Sequence, residues 1–367
     1  MMRAHERYME CALSLARRAY GETSPNPCVG ALLVKHGRIV GSGFHRKAGS
    51  AHAEIVALEK AGPAARGATL YVTLEPCAHY GRTSPCVDAV IARGVRQVVI
   101  GMQDPNPLNN GKGIRLLEAA GIKVTSGVLA DKARSLNEVF VKYITTGLPF
   151  VTVKVAESLD GRIATRTGAS KWITAEDARA YAHRLRHRYD GVMVGVNTVL
   201  RDNPRLDAWG PGKQPVKIIV DSQLSVGQKA AIFESGTPVV IATLASASGQ
   251  ETPNRRILSA RAHIIDIKGA GGQVHLRHLL KKLARMELTN ILVEGGGTLI
   301  GSLFDEMLVD RVMFFISPKI IGGKDALGSV MGRGPASVSQ AVALDKVRVR
   351  RFSEDILVEA AVRRRAH

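Results

Sequence analysis

Four cysteines among 367 residues are too few for a disulfide scaffold, and no apolar run reaches membrane-spanning length. Residues 1–20 alternate charge with short apolar groups and lack the continuous apolar segment of a signal peptide. A cytoplasmic chain is therefore expected, in which Cys11, Cys28, Cys77 and Cys86 serve as ligands or buried thiols. Aromatic residues make up only 5%, and no basic stripe interleaves with them, which disfavours a base-stacking nucleic-acid surface. Acidic residues are scarce as well. The 32 Asp and Glu against 51 Lys and Arg leave a net charge of +19, which favours anionic partners, whether nucleic acid or small phosphorylated metabolites. The basic residues are scattered, and the run Arg363-Arg364-Arg365 reads as a solvated tail.

What is present is ordinary globular composition, 45% hydrophobic and 23% charged, in a chain long enough for two cores. The spacing predicts a helix over 6–20, a hairpin at 29–35 and 38–43 about His36-Gly37, a helix at 51–61 and a strand at 69–74. A helix capped by Ser84, with Pro85 at its first position, should run to about residue 93. A strand at 95–101, a helix at 114–120 and a closing helix at 132–143 complete a layered α/β pattern. Thr146-Gly147-Leu148-Pro149 then breaks the helical periodicity, which sets a first domain at 1–146 and a second at 149–367. In the second, apolar runs at 191–196, 216–220, 239–242, 263–267, 291–293 and 312–316 fit strands buried on both faces of a largely parallel sheet.

His52-Ala53-Glu54 opens a predicted helix, Pro76-Cys77 follows a predicted strand, and Cys86 lies at the N-terminal end of the next helix. One imidazole and two thiolates make a zinc ligand set with a fourth position open to water, whose pKa zinc lowers from about 16 towards 7. Glu54 is placed to take a proton from that water and return it to a leaving amine. Cys86 gains from the helix N-terminus, which favours the thiolate. The order matches the zinc nucleobase-deaminase signature, except that eight residues rather than two separate the cysteines. Buried structural thiols beside a solvated Glu54 are the bland alternative. It is outweighed because the features stand together, in order, at strand and helix ends. A non-catalytic zinc module is disfavoured by the open position, and a deaminase of nucleic-acid bases leaves the second domain without a purpose.

These residues, with Asn26-Pro27-Cys28-Val29-Gly30, Glu75-Pro76-Cys77-Ala78-His79-Tyr80-Gly81-Arg82-Thr83 and Asp104-Pro105-Asn106-Pro107, resemble the bifunctional deaminase/reductases of riboflavin biosynthesis. In the second half the resemblance runs through Glu157-Ser158-Leu159-Asp160-Gly161-Arg162, Ser170-Lys171-Trp172, Val196-Asn197-Thr198 and Glu294-Gly295-Gly296-Gly297. It implies a cytidine-deaminase-like layered α/β domain followed by a dihydrofolate-reductase-like α/β domain. The implied chemistry is zinc-dependent deamination of 2,5-diamino-6-(5-phosphoribosylamino)pyrimidin-4-one, then NADPH-dependent reduction of the ribosyl side chain to the ribitylamino form. One zinc per chain, a homo-oligomer, a small phosphorylated pyrimidine substrate and no nucleic-acid or membrane partner are the corresponding expectations.

Carried over position by position, the resemblance gives His52, Cys77 and Cys86 to the metal and Glu54 to proton transfer, with Asn26, His45, His79 and Arg82 facing the deaminase substrate. Lys154, Ser170, Arg186, Leu206 and Glu294 should face the reductase substrate. Ala156, Trp172, Thr198, Asp202, Ser222 and Gly296, Gly297, Thr298, Leu299, Ile300, Gly301 and Ser302 should line the NADPH site. The residues themselves say less here: Gly295-Gly296-Gly297, between a buried strand and a helix, permits close approach of a pyrophosphate but is not a G-x-G-x-x-G fingerprint. The chain departs from the family twice. Asn109-Asn110 stands where smaller or apolar residues are expected, and Trp209 replaces an arginine whose phosphate contact could fall to Arg205 or Lys213.

Overall fold

The computed structural model describes residues 2–80, 84–245 and 253–363, and the chain divides into two units, Met1–Leu148 and Pro149–His367. The first opens with α1 (Met2–Arg17), whose stripe of Met9, Ala12, Leu13 and Ala16 is fully buried. β1 (Gly30–Lys35) and β2 (Arg38–Phe44) pair as an antiparallel hairpin. His36 and Gly37 at its tip both take left-handed backbone, φ 49° and 74°, as a two-residue turn matched to strand twist requires. Then come α2 (Ala53–Ala61), β3 (Thr69–Leu74), α3 (Cys86–Ala92), β4 (Gln97–Met102), α4 (Lys112–Ala119), β5 (Lys123–Ser126), α5 (Ala130–Leu136) and α6 (Glu138–Thr146). The sheet order is β2-β1-β3-β4-β5, with β1 antiparallel to both neighbours and the remaining pairs parallel. Leu32, Leu70, Val98 and Ile100 of the sheet meet Leu13, Leu58, Val90 and Leu117 of the helices in one core.

The first helix runs over Met2–Arg17 rather than 6–20, and two further differences from the sequence expectation bear on the site. The helix after Cys77 starts one residue later, with Pro85 (φ −57°, ψ 136°) as the cap and Cys86 as its first residue. The cause is Cys77: its sulfur accepts from Cys86 N–H at 3.3 Å and its carbonyl from Val87 N–H at 3.2 Å, partners that a Ser84 hydroxyl does not displace. The closing helix is two helices, α5 and α6, meeting at Asn137 (φ −105°, ψ 20°). Asn137 Oδ1 accepts from Cys28 N–H at 2.8 Å and its Nδ2 donates to Cys28 O at 3.0 Å, a clasp across 109 positions that periodicity alone does not reveal.

The second unit holds β6 (Phe150–Ser158), β7 (Arg162–Ala164), α7 (Glu176–Leu185), β8 (Gly191–Gly195), α8 (Val196–Asp202), β9 (Val216–Val220), β10 (Val239–Leu244), α9 (Pro253–Ser259) and β11 (His263–Ile267). β12 (Gly269–Ala270) and β13 (Gln273–Val274) form a small hairpin before α10 (Leu276–Arg285), β14 (Asn290–Glu294), α11 (Gly297–Asp305), β15 (Arg311–Ser317), β16 (Leu327–Gly328), β17 (Leu344–Phe352) and β18 (Asp355–Val362). A nine-stranded sheet runs β11-β10-β9-β8-β14-β6-β15-β18-β17, parallel from β11 through β15. The apolar runs of the sequence are its buried inner strands, covered on both faces as parallel sheets are, except 263–267, which is the edge strand β11 and buries only Ile265 and Ile267. β17 and β18 add an antiparallel edge. β17 carries Asp345, Lys346, Arg348, Arg350 and Arg351 and is almost wholly exposed, so no apolar run announces it. No described helix is long and apolar enough to cross a membrane.

Candidate functional site

In the first unit His52 stands immediately before α2, Cys77 lies beyond the end of β3, and Cys86 is the first residue of α3. α2 can lie flat on β2 because Gly41 and Gly43 have no side chains: a Cβ there would sit 2.3 Å from Ala57 O and 2.6 Å from Ala53 O. His52 Nδ1 is then 3.1 Å from Cys86 Sγ and 3.6 Å from Cys77 Sγ, and the three donor atoms lie within 4.8 Å of one another. Tetrahedral zinc, with Zn–N near 2.0 Å and Zn–S near 2.3 Å, holds such donors about 3.6 Å apart. The donor set fits zinc, and it leaves one coordination position for a ligand from solution.

The electrostatics of the cluster are those of a cation site. Accepting hydrogen bonds from the Cys86 thiol, from His52 and from Cys86 N–H outweighs burial and holds the Cys77 thiol at about 4. Cys86 is pushed up by that same bond and then by burial, so one proton is shared between two sulfurs. His52 is raised, first by its bond to Cys77. Glu54, in the first turn of α2 and 4% exposed, is brought to about 7 by burial and then by the negative Cys77.

Asn26 Nδ2 donates to His45 Nε2 at 3.1 Å, which leaves the His45 Nδ1–H to donate to Ala51 O at 3.2 Å. This neutral ring, lowered in pKa by burial, meets His52 edge to face at 5.5 Å. Asn26 and His45 therefore border the metal cluster. The buried Nδ1 of His79 has no hydrogen-bond partner among the described residues. Arg82 lies outside the described residues.

The second unit contains a cavity of about 1310 Å³ around the C-terminal ends of β6, β8, β9 and β14, where open parallel sheets bind ligands. Lys154, Ala156, Ser170, Trp172, Arg186, Thr198, Asp202, Leu206, Ser222, Glu294, Gly296, Gly297, Thr298, Leu299, Ile300 and Ser302 line it. Gly301 does not. A Cβ there would meet Gly332 N at 2.1 Å, so Gly301 lets the 331–332 backbone lie close against α11. Gly295 and Gly296 turn the chain into α11 with φ 100° and 78°, which presents the start of that helix as a cradle for a pyrophosphate.

One buried network crosses the cavity wall. Arg186 donates to Glu294 through Nε at 2.6 Å and Nη2 at 3.0 Å, and through Nη1 to Asp207 O at 2.7 Å. Lys154 Nζ is 3.7 Å from Glu294 Oε2. Burial alone would raise the Glu294 carboxyl, but Arg186 and then Lys154 hold it at about 2. Burial lowers Lys154 against the pull of Glu294. His183, half-buried and beside Arg186, falls to about 4 and so offers Nδ1 as an acceptor 2.9 Å from Arg186 Nη1. Ser170 donates to Asp202 at 2.9 Å, linking a residue assigned to substrate with one assigned to cofactor.

Sequence reasoning did not anticipate what Trp209 does. It lines the cavity, half exposed, and stacks on His183 with ring centroids 3.9 Å apart and planes 1° apart. Of the cations named as replacements for the missing arginine, Arg205 lines the cavity. Lys213 does not; its ammonium binds Asp190.

A family model described as the cytidine and deoxycytidylate deaminase zinc-binding region matches residues 2–102, and one described as the RibD C-terminal domain matches residues 149–358. The riboflavin biosynthesis protein RibD of Aquifex aeolicus is 44% identical over 354 residues, 96% of either chain. Among solved structures, RibD of Acinetobacter baumannii (form 1) aligns with a TM-score of 0.88 and 34% identity, over 99% of this chain and 100% of that one. A diaminohydroxyphosphoribosylaminopyrimidine deaminase/5-amino-6-(5-phosphoribosylamino)uracil reductase of Thermotoga maritima aligns at 0.86 and 36% identity, over 98% of this chain and 99% of that one. Similarity of that order along nearly the whole chain makes it a member of the RibD family, a bifunctional enzyme of riboflavin biosynthesis that joins a zinc-binding deaminase domain to an NADPH-dependent reductase domain.

Proposed function

We propose that the first domain hydrolyses the exocyclic amine of 2,5-diamino-6-(5-phosphoribosylamino)pyrimidin-4-one and that the second reduces the ribosyl side chain of the product to the ribitylamino form. The observation that carries this reading is the convergence of His52, Cys77 and Cys86 beside a buried Glu54. Zinc on those three donors supplies the Lewis acidity that makes hydroxide available near neutral pH. Glu54, poised near 7, takes the proton from water and delivers it to the departing amine. Asn26 and His45 hold the pyrimidine, and His79 and Arg82 receive its ribose phosphate. Supporting this, Asn26 and His45 are bonded to one another and the His45 ring packs against His52.

In the second domain NADPH supplies the hydride. Ala156, Trp172, Thr198, Asp202, Ser222 and the start of α11 hold the cofactor. Lys154, Ser170, Arg186, Leu206 and Glu294 hold the sugar phosphate, and Lys154 and Asp202 are the polar groups placed to serve the reduction. The cavity that these residues share supports the assignment. We read the enzyme as a cytoplasmic homo-oligomer that takes no nucleic acid. Val347 and Val349 on the edge strand β17, 58% and 65% exposed, offer apolar surface for self-association. An assay of the purified chain with the pyrimidine ribotide, zinc and NADPH, following ammonia release and NADPH loss separately, tests both halves. Absence of ammonia release would sink the first assignment.

A further inference from the structure

Cys77 sits on irregular backbone past the end of β3, where no sheet ladder fixes its direction. One side chain closes on it from both sides. Asn109 is 0% exposed. Its Oδ1 accepts from Ala78 N–H at 2.8 Å, and its Nδ2 donates to Pro76 O at 3.4 Å, so the peptides before and after Cys77 converge on a single amide. Nδ2 also donates to Asp104 Oδ2 at 3.1 Å. The loop that carries Asn109 is anchored in turn. Glu75 Oε2 accepts from Asp104 N–H and Gly111 N–H, each at 3.0 Å, and Oε1 from Ile114 N–H at 3.2 Å. α4 presses on the same stretch, since a Cβ on Gly113 would lie 2.2 Å from Pro76 O.

From this arrangement, and resting on the reading of Cys77 as a metal ligand, we infer that Asn109 is a positioning residue that aims the Cys77 sulfur at His52 and Cys86. An apolar residue at 109 would strip Ala78 N–H and Pro76 O of these bonds in a buried space, where unpaired groups cost most. The backbone about Cys77 would then turn to find other partners and carry the sulfur with it. Partners behind a metal ligand are typically worth about 10–100-fold in metal affinity. Asn109 thus acts on the metal cluster of this chain without touching it.

The test uses the full-length chain and three measurements: zinc affinity by competition with a chromophoric chelator, the thiolate-to-cobalt absorption band of the cobalt-loaded protein, and the reductase rate. Asn109→Leu should weaken zinc binding by about 10–100-fold, shift or broaden the cobalt band, and leave the reductase rate unchanged. Asn109→Ser is neutral and smaller but cannot reach both peptides, so it should move affinity and band the same way to a smaller extent. It decides the matter if the leucine variant does not fold. Parental zinc affinity together with a parental cobalt band, in whichever variant folds, overturns the inference. Failure of the underlying metal reading has a different signature: the parent chain would take up no zinc, and Cys77→Ser would change nothing.

Discussion

Arg186 and Glu294 meet as a two-pronged pair, Nε to Oε1 at 2.6 Å and Nη2 to Oε2 at 3.0 Å, each side chain only 8% exposed. Parallel bonds between planar groups fix orientation as well as distance. The pair joins the end of α7 to the end of β14, so it sets the wall of the cavity and the carboxylate within it.

This pair makes stability depend on acid. Glu294 is held at about 2, below its ordinary 4.5, so its contribution is fully present above pH 4.5 and drains away as pH falls from there through 2. A depression of that size corresponds to about 3 kcal/mol. Urea unfolding should therefore show stability falling between pH 5 and pH 2, with a shallower fall in Glu294→Gln. Arg186→Met, which leaves the buried carboxylate only Lys154 at 3.7 Å, should cost about 3 kcal/mol near pH 7. An unchanged unfolding midpoint for Arg186→Met would contradict the account.

Glu54→Gln keeps the shape of the side chain and removes its proton traffic. Ammonia release should drop by about 100-fold or more, while NADPH oxidation on the deaminated intermediate stays at the parental rate. Loss of both rates together would show that the two chemistries do not run on separate groups.

Metal analysis should return about one zinc per chain, from the one three-donor set among the described residues. Stripping with a chelator should abolish deamination and leave the reductase intact, and added zinc should restore it. Cys86→Ser should bind zinc far more weakly, and a parental zinc content there would remove Cys86 from the ligand set.

Trp209→Arg should return a cation to the cavity rim in place of the indole that stacks on His183. The expected result is a KM for the phosphorylated reductase substrate about tenfold lower, the worth of one charge-assisted contact, with little change in kcat. A KM that does not move would show that Arg205 already fills that role.

Much of the deaminase half could be read from local signals. His52 and Glu54 stand at a helix start, Cys77 past a strand and Cys86 at the next helix, and each of those elements follows from short-range periodicity. What periodicity does not encode is contact between distant positions. The clasp of Asn137 on Cys28 splits a helix that looks continuous, and the pull of Cys77 on the amides after Pro85 moves a cap by one residue. Gly301 shows the same limit, since its missing side chain makes room for the 331–332 backbone, thirty residues further along the chain. The edge strand β17 is hidden because exposed strands need no apolar alternation. Trp209 stacks on a His183 ring that burial, and then the Arg186 guanidinium beside it, lower in pKa, a relation among three side chains that no linear pattern displays.

The bare contact of α2 with Gly41 and Gly43 carries a lesson for genetics. Backbone rests on backbone there, with no deformable side chain to absorb an added methyl group. A substitution at either glycine would lift the helix that bears Glu54 and shift His52 at its start, so a screen for inactive alleles would return these glycines alongside the ligands, although neither one touches a cation or a substrate.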